Sequence, residues 1–527
     1  MLDIAINNGR IVDGTGEKSY IASIGIKDKK IVEINKNNEI LSGKNVIDAS
    51  GLIVSPGFID MHSHSDWTFL MDNRSESKVL QGVTTEVIGN CGNSIVPNTQ
   101  LNLAEVSEYA NIEKVAHWRL HTLGDYIEKL REIGLSINCA PLIGHGTLRK
   151  MVMGFDNRRP NEAEMQQMKA LLSRELETGA WGMSAGLIYP PGCFSDRAEL
   201  IELGKVLKAH DALFTAHIRG ESDAVFEAVK EMIEIGRGSG VHVHISHLKL
   251  MGKDQWGKAE DLLDLIHQYA SEGGLISCDQ YPYTASMTSL KTLVPEWAHE
   301  GGIEKMLENL RGKDEQKILE GIDVEMNKRG GPEKVVIGTV SEFPEWEGRN
   351  IQQISDQMAL EPAHAVRVIL EKSNGTMKAI YHTMDEEDVK RIMKHMNISV
   401  GSDGYGIDYE GKIYTNQIHP RSFGTFPRFL KFTRENELLS MEKSIYKITG
   451  LAANQLGIKD RGKIKQNHQA DLVIFDYEKI ADTATFMNPI SKPEGIHHVI
   501  VSGELIVQNG VQTEAKNGEV LLKTAVL

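Results

Sequence analysis

Six side chains of the kinds that bind transition metals lie at the ends of short β-rich runs: His62, His64, Cys91, His217, His247 and Asp403. Imidazole nitrogen together with thiolate sulfur is a ligand set that suits zinc. Taken singly, a His-x-His pair, a buried cysteine or a strand histidine is more often structural than a metal ligand. Because six such residues end five different runs, coincidence is improbable and the sequence predicts a metal centre.

These residues are far apart along the chain, so the fold must bring them together. The middle of the chain alternates helical stretches with eight β-rich runs, at 53–64, 84–90, 136–145, 182–187, 213–219, 241–249, 275–283 and 398–404. Eight strand–helix units predict an α/β fold with a (β/α)8 TIM barrel, whose active sites form at the C-terminal strand ends. The six candidate ligands lie at those ends. His242 and His244 lie farther back on their run, and we expect them to be structural.

The two ends of the chain differ from the middle, because both consist of short alternating runs broken by turn residues. We expect residues 1–55 and 461–527 to build one small β-sandwich domain beside a metal-dependent hydrolase barrel at 56–460. The seventh and eighth runs are separated by far more residues than one crossover needs. Residues 284–350 are therefore predicted to form an insertion whose first part covers the site as a lid. The alternative is a structural excursion that does not contact the chemistry.

Composition narrows the class of protein. The chain has 527 residues, 41% of them hydrophobic, and a net charge of −15, which favours a soluble globular protein and argues against a nucleic-acid partner. The start of the chain lacks the pattern of a signal peptide, and no run approaches the roughly 18 apolar residues of a membrane helix. We therefore expect a cytoplasmic protein with a small-molecule substrate, no membrane partner and no disulfides. The oligomeric state is left open.

A series of motifs runs along the chain in the order PGFIDMHSHSD, GVTTEVIGNCG, GHGTLR, SAGLIYPPG, AHIRGE, ISHLK, DQYPYTAS, GSDG and HPRSFGTFPRFL. This series resembles the N-acyl-D-amino-acid deacylases, or D-aminoacylases, of the amidohydrolase superfamily. HxH and GSDG are common to the superfamily, whereas GNCG, SHLK and HPRSFGTFPR are specific to this branch. The resemblance covers essentially the full length. It implies zinc-dependent hydrolysis of the linear amide bond of N-acyl-D-amino acids.

The resemblance also implies how the metal ligands divide. Cys91, His217 and His247 are expected to hold one tight zinc, with a fourth position open for water. His62 and His64 are expected to line a second, weaker metal position, and Asp403 to reach the metal centre as the general acid and base. The family often has two acidic residues after HxH, whereas the segment here reads HSHSD with Ser65 in the first place. That departure concerns the second metal position and the substrate contacts near it.

A deacylase of this kind must also hold the free α-carboxylate of its substrate. Lys249 lies two residues after His247, on the same strand face, and Arg421 and Tyr283 match family positions that bind this group. Arg421 can form a bidentate pair with a carboxylate, and its alternative role is a structural ion pair at the barrel rim. Tyr189, in GLIYPPG, is expected on the substrate side as well.

Two other functions remain open at the level of sequence. One is a cyclic-amide hydrolase of the dihydropyrimidinase or dihydroorotase kind, although no candidate for its usual carboxylated lysine is evident. The other is an inactive barrel that serves as a binding protein. The side-chain preference is predicted to be neutral rather than acidic, from apolar residues of the insertion and acidic ones near it: Met287, Leu290, Leu293 and Trp297, then Glu342, Glu345 and Glu347. The acyl preference is open.

Overall fold

A computed structural model describes residues 1–37, 39–98, 118–338, 343–410 and 418–523 of the chain. Its strands are β1 Leu2–Ile11, β2 Tyr20–Lys27, β3 Lys30–Asn35, β4 Gly43–Asp48, β5 Ile53–Pro56, β6 Phe58–Asp60, β7 Val83–Ile88, β8 Asn138–Gly144, β9 Gly182–Gly186, β10 Leu213–His217, β11 His242–Ile245, β12 Ile276–Gln280, β13 Ser286–Ser289, β14 Val335–Ile337, β15 Lys378–Tyr381, β16 Ile398–Val400, β17 Leu472–Phe475, β18 Ile496–Val501, β19 Glu504–Gln508 and β20 Val511–Gln512.

The α-helices of these described ranges are α1 Asp66–Met71, α2 Glu76–Val79, α3 Leu123–Ile133, α4 His145–Met153, α5 Glu162–Thr178, α6 Arg197–Ala209, α7 Val225–Ser239, α8 Ala259–Ser271, α9 Ile303–Asn309, α10 Glu315–Lys328, α11 Ile351–Met358, α12 Pro362–Lys372, α13 Glu386–Lys394, α14 Arg421–Glu435, α15 Met441–Lys447 and α16 Gly450–Leu456. Within the described residues, no helix is both long and apolar enough to cross a membrane.

Eight parallel strands form the barrel, in the order β6, β7, β8, β9, β10, β11, β12 and β16. Backbone contacts beyond the strand ends bring the first and last strands together, because Ser63 pairs with Gly404 and the N–H of Asp403 donates to the carbonyl of His62 at 2.7 Å. Each of the eight predicted runs matches one barrel strand to within one residue at its start or contains it whole, so the predicted fold class is confirmed. One detail differs: the first run is split, and its residues Ile53–Pro56 belong to the other large sheet.

Helix α5 shows how the sequence positions a barrel helix. Asn161 caps its start by accepting a hydrogen bond from the backbone of Glu164, whose own side chain accepts from the N–H of Asn161. This reciprocal capping box satisfies amides that have no partner inside the helix. The helix then buries one face through Met168, Leu172 and Leu176.

The second large sheet joins the two ends of the chain. Nine strands take part, in the order β20, β19, β18, β17, β5, β1, β2 and β3, with β4 pairing β1. The C-terminal strand β17 runs antiparallel to β5 at the point where the N-terminal segment leaves for the barrel. Fully buried aliphatic side chains such as Ile6, Ile24 and Leu472 give this sheet a core of its own. The exact domain boundaries stay a prediction.

The insertion between β12 and β16 is larger than the predicted 284–350. Strands β13, β15 and β14 form an antiparallel three-stranded sheet, and helices α9 to α12 lie between its strands in sequence. Strand β15 at 378–381 completes the sheet, so the excursion continues well past residue 350. This sheet contacts the barrel mouth, because the carbonyls of Ala285 and Met287 accept hydrogen bonds from His419 and Arg421.

Candidate metal centre

Backbone conformation turns three of the six candidate ligands toward the barrel mouth. Cys91, His247 and Asp403 follow the ends of β7, β11 and β16 by two or three residues, and their φ angles are +52°, +38° and +52°. Left-handed backbone is unfavourable for residues with a Cβ and persists only where the surroundings enforce it, commonly at functional sites. Left-handed backbone therefore occurs just after three separate barrel strands.

The Cys91 sulfur lies at the centre of the site. Its Sγ is 3.3 Å from His62 Nε2, 3.5 Å from His247 Nε2 and 3.8 Å from His217 Nδ1. Zinc–sulfur bonds of about 2.3 Å and zinc–nitrogen bonds of about 2.0 Å at a tetrahedral angle give a sulfur–nitrogen separation of about 3.5 Å. The spacing and chemistry of these donors therefore fit a zinc ion.

Electrostatics make Cys91 suitable as a ligand. Burial opposes ionisation of the thiol, but the charge of the His62 ring and the hydrogen bonds from His217 and His247 outweigh burial and hold the pKa of Cys91 well below its ordinary value. The thiolate is the form of cysteine that binds metals. The other three cysteines, Cys139, Cys193 and Cys278, are buried and unpaired.

The six predicted ligands form two overlapping clusters. In one, the ligand atoms of Cys91, His217 and His247 all lie within 4.8 Å of one another. The other brings Cys91 together with His62, His64 and Asp403 within the same limit. We call them the first cluster and the second cluster. Cys91 is common to both, so two metal positions would share its sulfur.

Two carboxylates that the sequence pattern did not indicate lie behind the histidine rings: the largely buried Glu221 and the fully buried Asp279. Glu221 faces both rings of the first cluster, at 3.5 Å from His217 Nε2 and 3.1 Å from His247 Nδ1. Asp279 lies 3.6 Å from His62 Nδ1 and accepts the backbone N–H of His247. A carboxylate behind a ligating histidine fixes the ring so that its other nitrogen faces the metal. Glu221 was detectable in principle, since it closes the AHIRGE motif four residues after His217.

Asp403 connects the second cluster to Arg421. Its Oδ1 is 2.9 Å from His64 Nε2, and its Oδ2 is 2.8 Å from an Arg421 guanidinium nitrogen. Burial favours the neutral acid, but Arg421 and the His64 hydrogen bond outweigh burial and keep the pKa of Asp403 well below its ordinary value. Asp403 is thus an ionised carboxylate at the edge of the centre.

Two buried cationic side chains lie on either side of Tyr281, and one of them, Arg421, pairs with Asp403. The side chains of Arg421 and Lys249 flank the ring of Tyr281, at 5.2 Å and 5.6 Å from its centroid. Among the residues that the structure describes, Arg421 Nε and the Tyr281 hydroxyl are buried without a hydrogen-bond partner. Buried donors without partners are costly in a folded protein, so these are suited to receive an anionic group from a ligand.

Comparison with known proteins agrees with this geometry. A model of the amidohydrolase family matches residues 45–265 and 338–507. A D-aminoacylase of Alcaligenes xylosoxydans xylosoxydans is 32% identical over 99% of the chain and 98% of its own length. An N-acyl-D-glutamate deacylase of the same organism is 34% identical over 95% and 93%. The chain belongs to the amidohydrolase family. Its predicted membership of the N-acyl-D-amino-acid deacylase branch is confirmed.

A solved structure is similar over the whole amidohydrolase chain. The N-acyl-D-glutamate deacylase of Bordetella bronchiseptica, solved with zinc and a phosphonate inhibitor that mimics the tetrahedral intermediate, is 32% identical. It superposes with a TM-score of 0.82 over 99% of both chains.

The remaining predicted substrate residues of this amidohydrolase occupy different surroundings. The Tyr189 hydroxyl lies 3.5 Å from His217 Nδ1 and 2.9 Å from the Thr288 hydroxyl of the insertion. Tyr283 instead packs beneath Arg428, 4.6 Å from the ring centroid. Tyr281, two residues earlier in the same YPY motif, is the tyrosine between Lys249 and Arg421. The motif alone could not distinguish two tyrosines of equal type.

Lys249 is also placed differently from the expectation of an open cation. It is 2% exposed and forms an ion pair with Glu221, so its charge is already partly balanced. The sequence predicts that Lys249 points toward the substrate, because it shares a strand face with His247. The ion pair arises because Glu221, after the neighbouring strand β10, reaches the same point.

The apolar residues that predicted a neutral side-chain preference mostly do not face the site. Leu290 and Leu293 are fully buried in a short turn that packs against α10 and α12 of the insertion. Trp297 lies under Lys317, and the backbone carbonyl of Met287 accepts a hydrogen bond from Arg421. Glu345 and Glu347 are exposed, and Glu342 lies outside the described residues. Leu290 and Leu293 therefore do not support the predicted preference for a neutral substrate side chain.

Proposed function

We propose that this amidohydrolase hydrolyses the amide bond of N-acyl-D-amino acids and releases a carboxylate and a free D-amino acid, with zinc as its metal. The observation that carries the proposal is the combination of a Cys91-centred metal site with buried, unpartnered hydrogen-bond donors of Arg421 and Tyr281 beside it. A metal site alone would suit many amidohydrolases. The unpartnered donors of Arg421 and Tyr281 add partners for the α-carboxylate that every N-acyl amino acid carries. The names of the relatives support the same substrate class.

A zinc ion in the first cluster would polarise the amide carbonyl and lower the pKa of water, which are the usual contributions of catalytic zinc. Cys91, His217 and His247 would hold it, and Glu221 would orient both rings. His62 and His64 would line the second, weaker position together with Asp403.

Asp403 would move the proton. Its Oδ1 faces the histidines of the second cluster, while Oδ2 is held by Arg421. As an ionised carboxylate it can accept the proton of the attacking water and deliver it to the departing amide nitrogen. An amide nitrogen leaves poorly without that proton, so the reaction would otherwise reverse.

Arg421 would bind the substrate α-carboxylate, with Tyr281 and Lys249 beside it. The guanidinium can offer two parallel N–H donors to a carboxylate, which fixes orientation as well as position. A fixed α-carboxylate and a fixed scissile carbonyl leave only one enantiomer able to place its side chain without a clash. This is how the site would select D over L substrates.

The substrate side chain stays a prediction. The relatives include enzymes named for D-glutamate as well as a D-aminoacylase, at nearly equal identity to this chain. The neutral preference predicted from the insertion has lost the support of Leu290 and Leu293. The choice between acidic and neutral substrates therefore belongs to experiment.

A hydrolysis screen of matched N-acetyl-D- and N-acetyl-L-amino acids tests the proposal. Leucine, methionine, aspartate and glutamate derivatives should be included, with dihydrouracil as a cyclic amide. We expect release of the free amino acid from at least one D member and negligible turnover of its L partner. Turnover of dihydrouracil alone would favour the cyclic-amide alternative. No turnover of any member by zinc-loaded protein would favour the inactive barrel.

A further inference from the structure

A buried ion cluster beneath the metal centre takes no part in the proposed chemistry. Lys78, Asp60 and Glu86 are each fully buried, and Lys78 Nζ lies 2.7 Å from Asp60 Oδ2 and 3.0 Å from Glu86 Oε1. Burial opposes the charge on Lys78, but the two carboxylates outweigh burial and raise the pKa of its ammonium group. Charged lysine is almost never fully buried unless paired, so a specific role is indicated.

The cluster reaches the backbone that carries the metal ligands. Asp60 Oδ1 accepts the N–H groups of His62, at 3.2 Å, and Ser402, at 2.8 Å. The Ser402 hydroxyl donates to Asp60 Oδ2 and accepts from Lys78 Nζ, both at 2.6 Å. Lys78 therefore closes a hydrogen-bonded ring that joins the end of β6 to the residue just before Asp403.

The same ring holds the left-handed turn at Asp403. Ser402 Oγ also accepts the N–H of Gly404 at 3.0 Å, so one hydroxyl bridges across Asp403. The N–H of His64 then donates to the carbonyl of Gly404. These contacts fix both segments of the second cluster relative to each other.

Glu86 explains why serine follows the His-x-His pair. The Ser65 hydroxyl donates to Glu86 Oε1 at 2.9 Å and accepts the N–H of Gly406 at 2.7 Å. An acidic residue at position 65 would put a further buried negative charge against Glu86. Serine instead extends the cluster to the loop that follows Asp403.

We infer that Lys78 is a positioning residue for the second metal position. It fixes the backbone of His62, His64 and Asp403 through Asp60 and Ser402, while Glu221 fixes the rings of the first cluster independently. This inference rests on the metal centre of the proposed function. It adds Lys78 as a residue that acts on one of the two metal positions.

The test is a metal titration of metal-free native protein and of Lys78→Met, followed by calorimetry and by the spectrum of bound Co²⁺. We expect the native protein to take up one tight and one weaker equivalent. In Lys78→Met the weaker equivalent should lose about ten- to a hundredfold in affinity, the usual effect of removing an outer-shell partner. The tight equivalent should change less than about threefold, and its thiolate-to-cobalt absorption should persist.

Lys447→Met is the matched control. Lys447 is also fully buried, but it bonds to the backbone carbonyls of Met393, at 2.6 Å, and His395, which precede β16 at the other end of the barrel strand. Both metal equivalents should bind this variant as in the native protein. Ser402→Ala leaves Lys78 paired with Asp60 and Glu86 but removes the Ser402 hydroxyl from the hydrogen-bonded ring. This variant provides the test if Lys78→Met does not fold. We expect the same selective loss there.

The outcomes separate this inference from the proposed function. A native protein that binds no metal contradicts the metal centre itself. A native protein with a single equivalent, or folded variants that keep the weaker equivalent at native affinity, overturns the role of Lys78 and leaves the deacylase proposal standing. Equal loss of both equivalents in folded Ser402→Ala also overturns it, since a general structural defect would act on both.

Discussion

The two metal-ligand clusters share Cys91 but are built differently. In the first cluster, His217 and His247 are buried and a single carboxylate, Glu221, faces both rings. In the second cluster the His64 side chain is 22% exposed, and the carboxylate ligand Asp403 also pairs with Arg421. Because both clusters contain the Cys91 sulfur, the other ligands make the difference: buried histidines held by one carboxylate favour tight binding, whereas a carboxylate that also pairs with a guanidinium favours exchange of the metal. The difference suggests that one position holds the metal firmly and the other faces the substrate.

Cys91→Ala should have the largest effect, because this sulfur belongs to both clusters. We expect loss of most of the tight zinc and a fall in kcat/KM of about 10⁴-fold, since several kcal/mol of transition-state stabilisation depart with the metal. Elemental analysis and kinetics measure the two effects. Cys139→Ala, at a buried cysteine that matches no ligand motif, should keep zinc and activity. Full zinc and full activity in Cys91→Ala would remove the basis for both clusters.

Asp403→Asn should separate proton transfer from metal binding. We expect the tight zinc to stay while kcat falls by roughly 10²–10⁴-fold, the usual scale of general acid–base catalysis. Zinc content and kcat are measured on the same preparation. Loss of the tight zinc would instead show that Asp403 is a necessary ligand of the first cluster.

Arg421→Ala should affect an acid substrate more than its amide. The contact with the α-carboxylate is worth roughly 1.5–3 kcal/mol, so kcat/KM for an N-acetyl-D-amino acid should fall about ten- to a hundredfold more than for the carboxamide. Some loss common to both substrates is expected because Arg421 also pairs with Asp403. Arg421→Lys should recover only part of the difference.

Arg428→Ala is the matched control for that comparison. Arg428 lies two turns along the same helix, where it packs on Tyr283 and pairs with Asp482. The acid and amide should lose equally little. If Arg421→Ala likewise lowers both substrates equally, Arg421 supports the barrel rim and Asp403 rather than the α-carboxylate.

Glu221→Gln should have the smallest effect on activity and a selective effect on metal affinity. We expect the tight zinc to bind about ten- to a hundredfold more weakly, since Glu221 orients both histidine rings of the first cluster. Turnover at saturating zinc should stay close to native. Competition with a chelator measures the affinity, and Glu231→Gln, which removes a partner of Arg219, serves as the control. Unchanged affinity would mean that Glu221 does not orient the two rings for the metal.

The grouping of the six candidate ligands could be predicted because their position depends on strand ends, which the sequence pattern marks well. The sheet that the two chain ends share could also be predicted, because short alternating runs broken by turn residues mark its strands in the sequence. Glu221, Asp279 and Lys78 were not found, because their partners lie on neighbouring strands and no local spacing records such pairs. Each is a buried charge that only the closed barrel explains.

The insertion shows where pattern reasoning fails. Apolar residues next to a predicted site were assigned to the substrate, whereas Leu290 and Leu293 stabilise the insertion itself. A leucine buried against a ligand and one buried in a core give the same sequence signal. The end of the insertion was also set too early, since strand β15 pairs with β13 across many intervening residues.

Zinc reconstitution tests whether the Cys91-centred first cluster holds the metal on which the reaction depends. Metal-free protein is mixed with increasing zinc, and hydrolysis of the best N-acetyl-D-amino acid is followed. We expect no significant activity without metal. In the native protein the activity should rise linearly with added zinc up to one equivalent per chain, and Cys91→Ala should show no such rise. Full activity of metal-free native protein, or of zinc-treated Cys91→Ala, would contradict it.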